Sequence, residues 1–184
     1  MRIFGVDPGS VHTGYGCIEA SGNRYRVLTY GALSPETRET FPEKLFVIRA
    51  GLAALISKHE PEVVAIEDLF YARNAKSALK LGHVRGIAML AAAEAGLPVA
   101  EYSPTEVKRA VVGYGRAEKH QVKAMVMLLL GLANPPSKLD ASDALAVAIC
   151  HAHSVGPVSS CVEQPNKRSA VRSWRRYRPD GVGH

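Results

Sequence analysis

The sequence predicts an α/β protein built on one five-stranded mixed β-sheet flanked by α-helices. Three observations predict it. Three β-branched stretches near the start follow one another at hairpin spacing. A strand, a long helical pattern and another strand come next, the order that gives parallel pairing. The remainder reads as helices, with no internal repeat. A chain of 184 residues, 47% of them apolar, suits one domain with a real core.

The elements follow in order. Arg2–Val6 reads as the first strand, Tyr15–Ala20 and Tyr25–Leu33 as the next two, with a hairpin turn at Ser21–Asn23. A helix opens at Pro42; Leu45, Ile48, Leu52, Leu55 and Ile56 recur at helical spacing, and Pro61 ends it. Glu62–Ile66 is a short apolar strand followed by Glu67. After the loop D-L-F-Y-A-R, a long helix spans about Asn74–Ala95 and stops at Gly96-Leu97-Pro98. Val99–Tyr102 is the fifth strand, and helices follow near Thr105–Val111 and Glu118–Leu130. Asn134-Pro135-Pro136 breaks the chain before a last helix from about Asp140 to His153.

Residues 155–184 differ from the rest. They hold six basic residues and two acids, whereas the whole chain carries a charge of +6, so residues 1–154 are near neutral. The segment is polar and aperiodic, and the expectation is a folded domain over 1–154 with a mostly disordered basic tail over 155–184. Such a tail suits polyanion binding by counterion release, or is a solubilising extension. No apolar run approaches the roughly 18 residues of a membrane span. No signal peptide is evident at the N-terminus, which predicts a cytoplasmic protein with no membrane partner. Cys17, Cys150 and Cys161 are too scattered for a disulfide framework or a zinc spacing.

Four carboxylates carry the chemistry. Asp7 ends the first strand and Glu67 the fourth, so parallel neighbours would bring both acids to the sheet edge where α/β folds place ligands. Asp140 and Asp143 are three apart on the last helix and share a face. Each has a plainer reading. Asp7-Pro8-Gly9 is a turn signal, and Asp140 and Asp143 could be a helix N-cap and its N3 acid. Crowded together, however, four acids would raise one another's pKa, and hard divalent cations are their natural counterpart. Two such ions about 4 Å apart suit phosphodiester hydrolysis. No Ser–His–Asp set is evident.

The stretches G-V-D-P-G-S-V-H-T-G-Y-G, A-I-E-D-L-F-Y-A-R-N, S-P-T-E-V-K-R-A-V-V-G-Y-G-R-A-E-K-H-Q-V and D-A-S-D-A-L-A-V-A-I-C-H stand in this order. With them, residues 1–154 resemble the RuvC family of Holliday junction resolvases, nucleases of ribonuclease H-like fold. The resemblance implies that Asp7, Glu67, Asp140 and Asp143 bind metal. Some relatives carry a histidine in the last helix, where this chain has Asp140 and Asp143. It further implies two Mg²⁺ per site, with Mn²⁺ as a substitute. It implies a homodimer making paired nicks across a four-way DNA junction in recombination and repair. The implied partners are the RuvA and RuvB branch-migration proteins. Lys119 matches a family lysine beside the scissile phosphate, and Phe70 the junction wedge.

Other residues are assigned around that reading. Phe70, Tyr71, Arg73 and Asn74 form a loop suited to stacking on unpaired bases, or one that closes the core. Lys108, Arg109, Arg116, Lys119 and Lys123 suit a phosphate grip, or are solvated helix faces. Gly82 and Gly86 lie four apart among alanines on the long helix. They suit tight packing on the sheet or, as the family implies, a self-interface. His151 and His153, two apart, point to different sides and are expected to be structural. Three rivals stand beside this reading: another ribonuclease H-like nuclease, an actin-like ATPase, and a junction-binding protein without chemistry. The F-Y-A-R-N loop and the G-Y-G-R-A-E-K run count against the first, the lack of a second D-x-G loop against the second, and four intact acids against the third.

Overall fold

A computed structural model of the chain describes residues 1–68, 74–136 and 138–155. Strand β1 (Arg2–Asp7) is the middle of a five-stranded sheet. Strand β2 (Thr13–Ser21) runs antiparallel to it, and β3 (Arg24–Leu33) antiparallel to β2. Gly22 and Asn23 make the two-residue turn between them, with Gly22 at a φ of 57°, where a side chain would be strained. On the other side of β1, β4 (Val63–Glu67) and β5 (Val99–Tyr102) add in parallel, giving the order β3-β2-β1-β4-β5. The sheet is mixed and five-stranded, as the sequence predicts.

Helices cover both faces. Helices α1 (Phe41–His59) and α2 (Ala75–Glu94) pack on one; α3 (Pro104–Val112), α4 (Lys119–Leu130) and α5 (Leu139–Ser154) on the other. The period of two along each strand divides the core. Phe4, Val6, Val64 and Ile66 point to the α1/α2 face, with Ile48, Leu52 and Val84. Ile3, Val63 and Ala65 point to the α5 face, with Leu145 and Ile149. Helix α5 is buried almost throughout and lies close on β1 and β2. The approach needs glycine: a Cβ on Gly5 would fall 2.1 Å from the Ala144 carbonyl oxygen, and one on Gly14 would fall 2.0 Å from that of Asp140.

Boundaries differ from the sequence reading by one or two residues. β2 begins at Thr13 rather than Tyr15, because its ladder with β1 extends to the Asp7–Gly14 pair and its ladder with β3 to the Thr13–Leu33 pair. β4 includes Glu67, whose backbone stays paired with Tyr102. α5 begins at Leu139, with Lys138 as its N-cap. Cys17 and Cys150 are free and buried, while Cys161 and the tail over 156–184 lie outside the described residues.

Candidate active site

Alternation along the strands decides where the first two acids point. Residues 3 and 5 of β1 face α5, so residue 7 does too; residues 63 and 65 of β4 face α5, so residue 67 does too. Gly5 pairs with Ala65 and Val6 with Ile66, so Asp7 and Glu67 come next in the same parallel register. They stand side by side where both strands end. The turn after Asp7 is closed by another residue, the buried Thr13, whose hydroxyl donates to the Gly9 carbonyl at 2.8 Å.

Helix α5 delivers the other two acids. Its N-terminal turn sits over Gly14, the β2 partner of Asp7, which puts Asp140 over the same sheet edge. Asp143, one turn along, is half-buried. The capping alternative does not describe them. The N-cap is Lys138, it makes no side-chain cap hydrogen bond, and Asp143 lies beyond the N3 position.

The consequence is electrostatic. Burial raises the Asp7 pKa first, and the negative charges of Glu67, Asp143 and Asp140 raise it further, to about 8. Hydrogen bonding with the Glu67 carboxyl adds the smallest part of the rise. The Glu67 carboxyl is also pushed up, by burial and then by Asp143; its hydrogen bonding with Asp7 and the charges of Lys119 and Lys108 oppose this. Among the described residues, no three His, Cys, Asp or Glu side chains already converge at ligand spacing. A donor set made only of carboxylate oxygens, with one acid driven toward its protonated form, fits hard divalent cations.

Two lysines complete the site. The exposed Lys119, first residue of α4, donates from Nζ to Asp143 Oδ2 at 3.4 Å. Asp143 foremost, then Asp7 and Glu67, raise its pKa. Lys108 on α3 lines a cavity of about 30 Å³ together with Glu67, Lys119 and Asp143. Assigned from sequence to a general phosphate grip, it stands against the carboxylates. Arg109 and Arg116 are exposed on and after α3, and Lys123 lies one turn beyond Lys119 on α4. Phe70, Tyr71 and Arg73 lie outside the described residues. Asn74 is exposed and caps α2, its side-chain oxygen accepting from the Ser77 N–H at 2.9 Å. That bond leaves the Asn74 amide group free to donate elsewhere.

Sequence reading missed Arg85. From α2 its guanidinium pairs with Asp68 Oδ1 at 3.2 Å and with Glu101 on β5. It thereby holds the residue that follows Glu67. Nothing local signals this, because the partners come from three separate segments. His151 and His153 do point apart: His151 Nδ1 bonds the Tyr102 hydroxyl at 2.8 Å, and His153 Nδ1 bonds the Ala110 carbonyl at 2.9 Å.

Comparison with known proteins places this geometry. A family profile described as crossover junction endodeoxyribonuclease RuvC matches residues 3–151. The chain belongs to the RuvC family. A crossover junction endodeoxyribonuclease RuvC from Koribacter versatilis is 56% identical over 154 residues, covering 83% of this chain and 93% of that protein. The structure of Thermus thermophilus RuvC in complex with a Holliday junction substrate superposes with a TM-score of 0.80 at 36% identity, covering 84% of this chain and 94% of that one. The yeast mitochondrial Holliday junction resolvase Ydc2 is 15% identical with a TM-score of 0.60, over 82% of this chain and 77% of its own, and shows a shared fold alone. The fold is therefore ribonuclease H-like, and this RuvC-family chain is a divalent-metal-dependent nuclease of the junction-resolving class.

Proposed function

We propose that this RuvC-family chain resolves four-way DNA junctions by paired, symmetric nicks, with Asp7, Glu67, Asp140 and Asp143 holding two Mg²⁺ ions per site and Mn²⁺ as a substitute. The observation that carries the reading is the gathering of four carboxylates at one sheet edge, where burial first and then the neighbouring acids push Asp7 up to about 8. The ions, when bound, supply an activated water and stabilise the leaving oxygen. The protein's own groups do the rest. Asp7 gives up its proton as it takes up positive charge. Lys119 and Lys108 set two ammonium groups against the phosphate. Arg109, Arg116 and Lys123 hold neighbouring backbone phosphates, and Phe70, Tyr71, Arg73 and Asn74 meet the opened bases at the crossover.

Paired nicks call for two sites, and the proposed homodimer supplies them through α2. A Cβ on Gly82 or Gly86 would meet nothing within 4 Å, so this small-residue face does not pack on the sheet. It lines an open groove with Leu45, Leu79 and Leu90, and Leu79 is 65% exposed. The proposal includes one nuclease domain over 1–154 and a basic tail over 155–184. It also includes cooperation with RuvA and RuvB and action in the cytoplasm. Among the described residues, no helix is long and apolar enough to cross a membrane.

The test uses a synthetic four-way junction with end-labelled strands, beside a linear duplex and an RNA–DNA hybrid. Metal-dependent, symmetric nicks in the junction alone are expected, with none in EDTA. Equal cutting of the linear duplex, or tight junction binding without nicks under any metal, overturns the reading.

A further inference from the structure

Three side chains outside the carboxylate site meet at the same edge of the sheet. Lys138 Nζ donates to the Ser34 hydroxyl, and Ser34 Oγ lies 2.8 Å from His12 Nδ1. They come from separate segments: the loop between β1 and β2, the residue after β3, and the N-cap of α5. Register brings two of them together. Thr13 pairs with Leu33, so His12 and Ser34 are the next residues out at the open end of the β2–β3 hairpin. Asp7 pairs with Gly14 in the neighbouring ladder, and the Asp140 carbonyl rests on Gly14. The node therefore flanks the four acids on the side away from Glu67.

Its chemistry is that of an anion site. An ammonium can only donate, so the Ser34 oxygen accepts from Lys138, and the bond between Ser34 Oγ and His12 Nδ1 runs in the direction the imidazole tautomer sets. His12 Nε2 is the ring nitrogen that Ser34 does not engage. We propose that His12, Ser34 and Lys138 form a second phosphate subsite, which grips a non-scissile phosphodiester of the strand being cut. The proposal rests on the reading of the chain as a junction nuclease and extends it to residues outside the metal centre.

Two observations favour a phosphate over a mere pin between segments. Lys138 meets a neutral hydroxyl, whereas Lys119 is paired with a carboxylate. The placement also fits a DNA strand. Adjacent strands of a sheet are about 4.8 Å apart, so β1 and β3 are separated by roughly 10 Å. A few successive phosphates of one DNA strand, at about 3.4 Å of rise each, cover that span. Lys108 and Lys119 stand on the Glu67 side of the acids, and the node stands on the other. The cut strand would cross the sheet edge between two basic poles, with the scissile phosphate over the carboxylates.

The test measures affinity for the synthetic junction across a salt series in Ca²⁺, for the wild type and for Lys138→Gln, Lys138→Met and His12→Gln. Lys138→Gln keeps a hydrogen-bond donor for Ser34 and removes the charge. The subsite predicts several-fold weaker binding for Lys138→Gln and Lys138→Met alike. It also predicts a salt slope lower by about 0.9, one phosphate contact, at an unchanged melting temperature. His12→Gln should weaken binding to a lesser degree. If Lys138→Gln binds with the wild-type slope while Lys138→Met melts early, the node is a structural pin and the proposal fails. Nicking by the wild type in Mg²⁺ is followed in parallel. A wild type that nicks beside a Lys138→Gln of unchanged slope overturns the subsite alone. A wild type that neither binds nor nicks overturns the function and the subsite together.

Discussion

Asp7 and Glu67 end two adjacent parallel strands on one face of the sheet, where burial and then the charge of Glu67 hold the Asp7 carboxyl far above its ordinary value. The pair is unfavourable without a cation, since burial and mutual repulsion both oppose charging it. A fold that keeps such a pair at the strand ends sacrifices stability at that spot, which is intelligible if the pair exists to bind metal.

Asp7→Asn keeps the shape of the side chain and removes its charge. Nicking of a four-way junction should fall by roughly 10²–10³-fold or more. Junction binding, which depends on groups such as Arg109, Arg116 and Lys123, should survive. A gel-shift titration and a nicking time course on the same preparation check both.

The metal-free protein should lose stability as pH rises. The Asp7 pKa is raised from 3.8 to about 8 in the folded chain, so between about pH 4 and pH 8 the folded state keeps a proton that the unfolded state has released. Stability falls through that window. His151 acts in the opposite sense: burial lowers its pKa below 6.5, so its contribution is lost as pH falls below that value. Melts in EDTA between pH 6.5 and 8.5 isolate the carboxylate. The midpoint should drop over that range in the wild type, stay flat in Asp7→Asn, and recover on adding Mg²⁺ at pH 8.

Lys119 and Lys123 occupy the same face of α4, but Lys119 alone reaches Asp143. Lys119→Gln should slow single-turnover nicking by roughly 10²-fold with junction affinity little changed. Lys123→Gln should weaken affinity and leave the single-turnover rate of bound junction intact.

Gly5 admits α5 to the sheet. Its replacement by Ala would put a methyl group 2.1 Å from the Ala144 carbonyl oxygen. The cost should be about 1–3 kcal/mol, the range for overpacking a tight core, and it falls on the contact that brings Asp140 and Asp143 to Asp7. Gly5→Ala should therefore melt earlier and nick more slowly, measured by calorimetry and the junction assay.

Gly82→Arg should convert the proposed dimer to a monomer in a sedimentation run. The Gly82 face opens on solvent and an apolar groove, so the monomer should keep its melting profile apart from the loss of the dimer contribution.

Much of this architecture is legible in the sequence because its signals are local. The apolar run before Asp7, the run before Glu67 and the three-residue spacing of Asp140 and Asp143 each state a strand end or a helix face. Which face the strand-end acids take follows from alternation once α5 is placed, and placing α5 needs Gly5 and Gly14 to be seen as clearance for a helix. The start of α5 is harder to read: Asp140 looks like a cap, yet Lys138 takes that position because the helix already begins at Leu139. The Arg85 clamp on Asp68 and Glu101 and the His12–Ser34–Lys138 node are not legible at all. Their members come from three segments each, and only the folded sheet sets them side by side.

The most direct test of the central claim, that Asp7 stands at its strand tip to hold a cation, is a calorimetric Mn²⁺ titration of the wild type and of Asp7→Asn at pH 8. Two ions per protomer are expected for the wild type, with proton release, since Asp7 must deprotonate to bind. Asp7→Asn should lose at least one ion and most of the proton release. Identical Mn²⁺ binding by the two proteins would contradict the account and return Asp7 to the status of a turn residue.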